Sequence, residues 1–286
     1  MDMLAQALIQ GFLIGGTYGL VALGLGLIYS VSNIVSFAHG DFMSLAMYLS
    51  VSLFAAFAMD PYVSVFITFP VLALVGWGLY YFILRPVIGS NSLMIIQLTL
   101  GLTFLLQNGL LMVYGGQMLR VPSMVESKLF LMGDTVMRWP LLIAFIASLA
   151  LSALLYLMLT RTDFGRQIRA VNQNPKAAAL MGVNVTQVRT LVFALGIALL
   201  AVAGSLLLPG ATLQPGMGLR YTVITLLILV LGGMSNFIGI LLGGYIIGLS
   251  EAVGTTFLSG VSGMILPYAL FIVIMLFRPA GLLGSR

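Results

Sequence analysis

Charge is what this sequence has least of: Asp, Glu, Lys and Arg make up 7% of 286 residues, against about 25% in an ordinary soluble domain. So few charged groups cannot cover a water-facing surface, whereas 61% apolar residues suit a surface that meets lipid tails. Cysteine is absent, which removes disulfides, thiolate nucleophiles and thiolate metal sites. A single histidine leaves no zinc-ligand set and no Ser–His–Asp arrangement, so an intramembrane enzyme is not expected. No Gly-x-x-x-x-Gly-Lys-Ser/Thr segment occurs, so the chain has no phosphate loop with which to hydrolyse ATP. The opening residues MDMLAQALIQ carry no basic n-region, and the apolar stretch they begin reads as a retained span rather than a cleaved signal. The net charge of +5 does not point to nucleic acid, because the basic residues gather in one inter-span loop and at span ends.

What is present is a series of long apolar runs. A membrane-crossing helix needs about 20 mostly apolar residues, and regular candidates lie at 7–29, 40–59, 62–84, 92–114, 139–160 and 187–208. A longer stretch, 221–254, is interrupted by Gly232, Gly233 and Ser235-Asn236, which predicts two short or half-length helices. A last span is expected at 257–277. The fold class is therefore all-α: a polytopic transmembrane bundle of about eight spans, with a broken or re-entrant segment near 221–254, in one membrane domain over 1–286. The polar stretches 115–138, 161–186 and 209–220 are too small to hold cores of their own.

Orientation follows from 161–189, which holds Arg161, Arg166, Arg169, Lys176 and Arg189 against Asp163 alone and so belongs in the cytoplasm. Counting back through five spans puts the N-terminus outside, together with 115–138, where Arg120, Lys128 and Arg138 are offset by Glu126 and Asp134. Arg278 and Arg286 favour the cytoplasm, which requires 221–254 to return to the side it entered from, as a re-entrant or doubly crossing hairpin.

Within the cytoplasmic loop, Asn174 suits a helix N-cap, Pro175 the first helical position, Lys176 to Met181 a helix and Gly182 its stop. Such a helix can sit in a groove on a partner protein, or it can be a solvated connection that fixes topology. A second cluster, Asn33, Ser36, Phe37, His39, Gly40 and Asp41, places polar and ionisable groups at the start of an apolar span. These groups either mark a solute pathway or lie at the membrane interface, pairing locally and ending a helix. In the fourth span Gln97, Gly101, Phe104 and Asn108 recur at three- and four-residue steps, so they share a face turned to protein or water. The candidate translocation residues are thus Asn33, Phe37, His39, Asp41, Gln97 and Asn108. Glycines four apart, Gly15 with Gly19 and Gly239 with Gly243, point to close helix packing. Val31-Ser32-Asn33 is echoed by Met234-Ser235-Asn236, which is open to chance or to an inverted repeat.

The segments GRQIRAVNQNPKAAALMGVNVTQVRTLVFALGIALLAVAGSL, GLIYSVSNIVSFAHGDFMSLAMY and FRPAGLLG together resemble the branched-chain amino acid ABC transporter permease family of LivH type, nearly end to end. The resemblance implies that 161–189 is the element coupled to an ATP-hydrolysing subunit, through Arg166, Arg169, Asn172, Asn174, Pro175, Lys176, Ala177, Ala178 and Gly182. Lys176 stands where the wider importer pattern Glu-Ala-Ala-x-x-x-Gly has glutamate, which removes the basis for the salt bridge usual there. The implied complex holds a second, homologous permease or a second copy, two ATPase subunits that carry ATP and Mg, and a periplasmic solute-binding protein, in lipid. The implied site is the bacterial inner membrane, crossed many times, with no cofactor bound by this chain. Branched-chain amino acids are the first expected solutes; related permeases move urea or short amides. The rival readings are an ion-coupled secondary transporter, with Asp41 and Glu251 as coupling carboxylates, and a passive channel for a small polar solute.

Overall fold

The computed structural model describes residues 2–88, 92–123, 125, 129–132, 135–258 and 263–284. Helices α1 (Asp2–Ser32), α2 (His39–Phe57), α3 (Pro61–Gly78) and α4 (Ser92–Tyr114) come first, α3 running on as a π-helical turn, Leu79–Leu84. A small antiparallel hairpin, β1 (Leu129–Met132) and β2 (Thr135–Arg138), sets Leu129 opposite Arg138 and leads into α5 (Trp139–Arg161). Then follow α6 (Asp163–Gln173), α7 (Pro175–Leu180) and α8 (Val185–Leu207), a 3-10 turn Leu208–Gly210, α9 (Met217–Gly232), α10 (Phe237–Phe257) and α11 (Ile265–Phe277).

Seven of these stretches are long and apolar enough to cross a membrane, and α9 and α11 are shorter apolar helices. The expected polytopic helical bundle is therefore what is found, with its six regular spans displaced by a few residues at most ends. The hairpin in 115–138 and the helix α6 were not expected. The last span is shorter than 257–277, because α10 continues through Phe257. Glu126, Lys128, Asp134 and Arg286 lie outside the described residues.

Burial separates a centre from a rim: 89% of the most apolar window of α1 and 78% of that of α8 are covered, against 17% for α4. Lipid tails compete equally for apolar side chains, so helices in a bilayer associate by close packing, and small residues permit it. At the contact of α1 with α10, a β-carbon at Gly15 would stand 2.8 Å from the Tyr245 Cα, and one at Gly244 2.6 Å from the Gly19 Cα. The Gly15–Gly19 pair thus packs as anticipated, but its partners are Gly244 and Gly248, while Gly239 and Gly243 pack against α9. The α1–α8 crossing is made where Gly24 faces Gly196.

The interrupted stretch 221–254 is a hairpin of two helices. Gly233 turns the chain at φ 93°, a conformation that favours glycine, and Asn236 caps α10 by accepting from the Gly239 N–H at 3.0 Å. Its second arm is a full-length helix of 21 residues, not a half-length one. Tyr18 of α1 meets Tyr221 of α9 and Gly26 meets Leu229, so α9 runs parallel to α1. The two Ser-Asn echoes therefore join hairpins of the same direction, not an inverted pair.

Candidate functional site

One end of the bundle is capped by α6 and α7. Thr162 starts α6 by accepting from the Gly165 N–H at 3.1 Å, and Gly165, Ile168 and Val171 form its buried face. A β-carbon at Gly165 would collide with the carbonyls of Met158 and Leu159, so α6 lies directly on the end of α5. The Arg169 guanidinium donates to the Leu159 carbonyl, a cation on the orphan carbonyls of a helix C-terminus. Arg166 pairs with Asp163 on the exposed side of the same helix.

The capping read from the sequence holds for α7. Asn174 Oδ1 accepts from the N–H groups of Lys176 at 3.0 Å and Ala177 at 3.1 Å, with Pro175 in the first turn. Gly182, at φ 87°, ends the helix, its N–H donating to the Ala179 carbonyl at 3.0 Å. Ala178 faces the bundle, whereas Asn172, Lys176 and Ala177 are exposed. Two residues that sequence reasoning passed over stand out furthest: Leu180 is 89% exposed and Met181 85% exposed. The available signal was two large apolar residues immediately before the stop glycine of a polar loop.

The second cluster lies inside the bundle. The N–H of Asn33, at φ 52°, donates to the Tyr29 carbonyl at 2.8 Å, a left-handed cap that ends α1. The chain then turns back inward. His39 Nε2 stands 3.1 Å from the Val21 carbonyl, about 16 Å back along α1 at 1.5 Å per residue, so α2 starts within the bundle. His39 and Asp41 are fully buried there. Asp41 Oδ1 accepts from Gln107 Nε2 of α4 at 2.9 Å, while Oδ2 has no hydrogen-bond partner. The Gly40 N–H donates to Thr222 Oγ1 of α9 at 2.8 Å, and Gly218 leaves no room for a side chain beside Asp41.

The six pathway candidates do not form one site. His39 and Asp41 sit in the interior; Asn33 is exposed at the end of α1 and Phe37 is half-buried. Gln97 and Asn108 lie with Gly101 and Phe104 on the exposed side of α4. The buried side of that helix carries Thr99, Thr103 and Leu110, and the residue that reaches Asp41 is Gln107, next to the one anticipated. Glu251 is mostly buried and ion-paired with Arg220 across α9 and α10. That pair was also missed, although Glu251 is an isolated charge in an apolar stretch. At the α7 end, Arg189 Nε of α8 donates to the Val31 carbonyl of α1 at 2.9 Å.

The family described as branched-chain amino acid transport system, permease component, matches residues 7–275. The chain is 27% identical over 293 residues to the high-affinity branched-chain amino acid transport system permease protein BraD of Pseudomonas aeruginosa, covering 98% of this chain and 95% of that protein. It is 30% identical over 298 residues to LivH of Escherichia coli K12, with the same coverage. Identity to a probable LivH of Methanocaldococcus jannaschii is 31% over 280 residues, or 93% of this chain and 88% of the relative. No solved structure matches. A match that spans nearly all the transmembrane helices, and both the interior and the α6–α7 elements, places this chain in the branched-chain amino acid transport system permease family.

Proposed function

We propose that the chain is the membrane-spanning permease subunit of an ATP-binding-cassette importer, moving branched-chain amino acids across a bacterial inner membrane by alternating access. The observation that carries this reading is α7: a capped six-residue helix that ends in two large apolar side chains, Leu180 and Met181, held out from the bundle. Exposed apolar side chains on a polar, water-facing tip mark a protein contact. Residues 161–189 are then the cytoplasmic coupling loop of a single permease domain, docked on an ATPase subunit that carries ATP and Mg, while this chain binds no cofactor. Within that loop Arg166, Asn172, Lys176 and Ala177 face the partner, whereas Arg169, Asn174, Pro175, Ala178 and Gly182 set the shape of the element. The complex is completed by a second, homologous permease or a second copy, two ATPase subunits and a periplasmic binding protein.

The test is uptake of labelled leucine by proteoliposomes that hold this chain with its neighbouring permease, ATPase and binding-protein subunits, with the loop intact or lacking 176–182. Uptake that needs both ATP and the loop supports the proposal. Uptake by the chain alone, driven by an ion gradient, would overturn it and return Asp41 and Glu251 to the role of coupling carboxylates. Conduction without nucleotide would favour a channel.

A further inference from the structure

At the α7 end of the bundle, the last turns of the α3 span and the first turns of α8 enclose a groove of about 450 Å³. Trp77, Tyr81 and Arg85 form its α3 wall, on a helix that closes in the π-helical turn Leu79–Leu84, a form frequent at functional sites. The Trp77 and Tyr81 rings stack with centroids 5.4 Å apart and planes 3° from parallel, and the Arg85 guanidinium stands over the Tyr81 ring at 5.1 Å. The α8 wall offers Asn184, Thr186 and Gln187, with Leu191 one turn further in. Asn184 Oδ1 accepts from the Gln187 N–H at 3.1 Å, which leaves the Asn184 amide Nδ2 as a donor. Among the described residues no carboxylate lines the groove, so Arg85 sets the sign of its field. The two walls are held firmly: a β-carbon on Gly76 would stand 2.9 Å from the Phe193 carbonyl oxygen, and Tyr80 packs on the Phe193 ring at 5.0 Å.

The level of the groove decides what it meets. The apolar stretch Pro61–Leu84 ends just before Arg85, and Trp and Tyr at such a level mark the boundary between hydrocarbon and head groups. Trp77 and Tyr81 are open to the outside, as is Leu74, three residues before Trp77 on the same face. The groove thus has a cation and amide donors at head-group height and runs on into an apolar strip at acyl-chain height. A guanidinium stacked on a ring keeps its N–H donors in plane, where they can bind two phosphate oxygens at once. We infer that this groove is a site for one anionic phospholipid, with its phosphate on Arg85, head-group hydroxyls on Asn184 and Gln187, and acyl chains along Trp77, Leu74 and Leu191. The leaflet at the α7 end is the cytoplasmic one by the charge of 161–189, and cytoplasmic leaflets carry anionic lipid. Free phosphate shares the head-group chemistry but uses none of the apolar strip. The site stands apart from the importer reading, since it involves neither the α7 tip nor the interior cluster.

The chain has two tryptophans, so Trp139→Phe leaves Trp77 as the sole indole, which a brominated lipid quenches on contact. The test is quenching of Trp77 in phosphatidylcholine vesicles that carry a rising fraction of brominated phosphatidylglycerol, with brominated phosphatidylcholine as reference. The expected result is a preference for phosphatidylglycerol of about fivefold or more, abolished by Arg85→Gln, partly kept by Arg85→Lys and lowered by Gln187→Leu. Arg278→Gln, which removes an exposed arginine outside the groove at the same end, should leave the preference unchanged. Arg85 and Gln187 are exposed, so the melting temperature, measured alongside, should hold in their variants. Without the Trp139→Phe change, the wild-type chain should show the same preference as phosphatidylglycerol retained in native mass spectrometry. Equal quenching by both lipids, or a preference unchanged in both Arg85→Gln and Gln187→Leu, would overturn the inference. An equal loss in Arg278→Gln would also overturn it, by showing a general attraction of charge. Inorganic phosphate in excess should not relieve the quenching; full relief would show a site for free phosphate and sink the lipid assignment. Leucine uptake is not the readout, so failure of the importer reading and failure of this site are told apart.

Discussion

Replacing Leu180 and Met181 with serine tests the α7 contact where the magnitude is best defined. Burying a Leu or Met side chain fully is worth about 1.5–3 kcal/mol relative to leaving it in water. Both side chains are almost wholly exposed in the chain, at 89% and 85%, so nearly all of that area is available to a partner. The pair has a gross contribution of about 3–6 kcal/mol, of which ordering costs leave less at an interface. A net loss of about 2 kcal/mol, the threshold of an interface hot spot, weakens docking about thirtyfold. The same substitutions touch nothing inside the bundle, so the thermal stability of the isolated permease should hold within about 0.5 kcal/mol. The assay is affinity of the purified ATPase subunit for permease complex in nanodiscs, with ATP-dependent uptake measured in parallel. An affinity loss of less than about threefold, with an unchanged melting temperature, would refute the assignment of α7 as the docking tip. Leu180→Met serves as the control that keeps the apolar surface.

Further substitutions follow from the packing and capping. Gly196→Ala should lower stability by about 1–3 kcal/mol, because its β-carbon would stand 2.8 Å from the Gly24 carbonyl oxygen; Gly109→Ala, where nothing lies within 4 Å, should be near neutral in the same detergent melting experiment. Asn174→Ala removes the acceptor for two backbone N–H groups, costs α7 about 1 kcal/mol, and should show as faster amide exchange over 176–181. Gln107→Leu takes from Asp41 the donor that α4 sets 2.9 Å from its Oδ1 and should destabilise the fold by about 1–3 kcal/mol; the double variant Asp41→Leu/Gln107→Leu should recover part of the loss, and additive losses would show that the two groups are not coupled.

The fold was legible wherever hydrophobic runs were long and bounded by a break, since bilayer thickness sets span length independently of the partner each helix will choose. Pairing was not legible. Gly15 and Gly19 announced a contact, but which of the glycines of α10 would meet them depends on the crossing of the two helices, and Gly244 and Gly248 are separated from Gly239 and Gly243 by only a few residues. On α4 the periodicity placed Gln97, Gly101, Phe104 and Asn108 together correctly, yet a shared face does not say which way it points; Gln107, one position away, faces Asp41. The caps of α7 were readable because Asn174, Pro175 and Gly182 act through local backbone geometry. The helix α6 was obscured because its apolar positions, Phe164, Ile168 and Val171, are set among charges, and the Arg169 contact that fixes it lies ten residues back at Leu159.

Stiffness is unevenly shared in this bundle, and the inequality bears on how movement at α7 can reach the interior. The helices α1, α8 and α10 meet backbone to backbone at glycines, so a small shift between them is resisted by hard contacts rather than by adjustable side chains. At the α7 end α8 and α1 are also tied by Arg189, which holds the Val31 carbonyl one residue before α1 ends at Ser32. The chain beyond Asn33 is of another kind: five residues, 34–38, lie outside helix before α2 begins at His39. That helix touches the rim helix α4 through polar contacts, Asp41 with Gln107 and Ser52 with the Tyr114 hydroxyl. Polar pairs of this sort can exchange partners without opening a void, whereas the glycine crossings cannot. Large conformational changes in proteins proceed by rigid bodies moving on a few hinge positions; the glycine-packed centre, which carries α7 through α8, has the hard contacts of a rigid body, and the non-helical 33–38 segment that leads to Asp41 lacks them. Asp41, just past that segment, joins the start of α2 to α4 through Gln107.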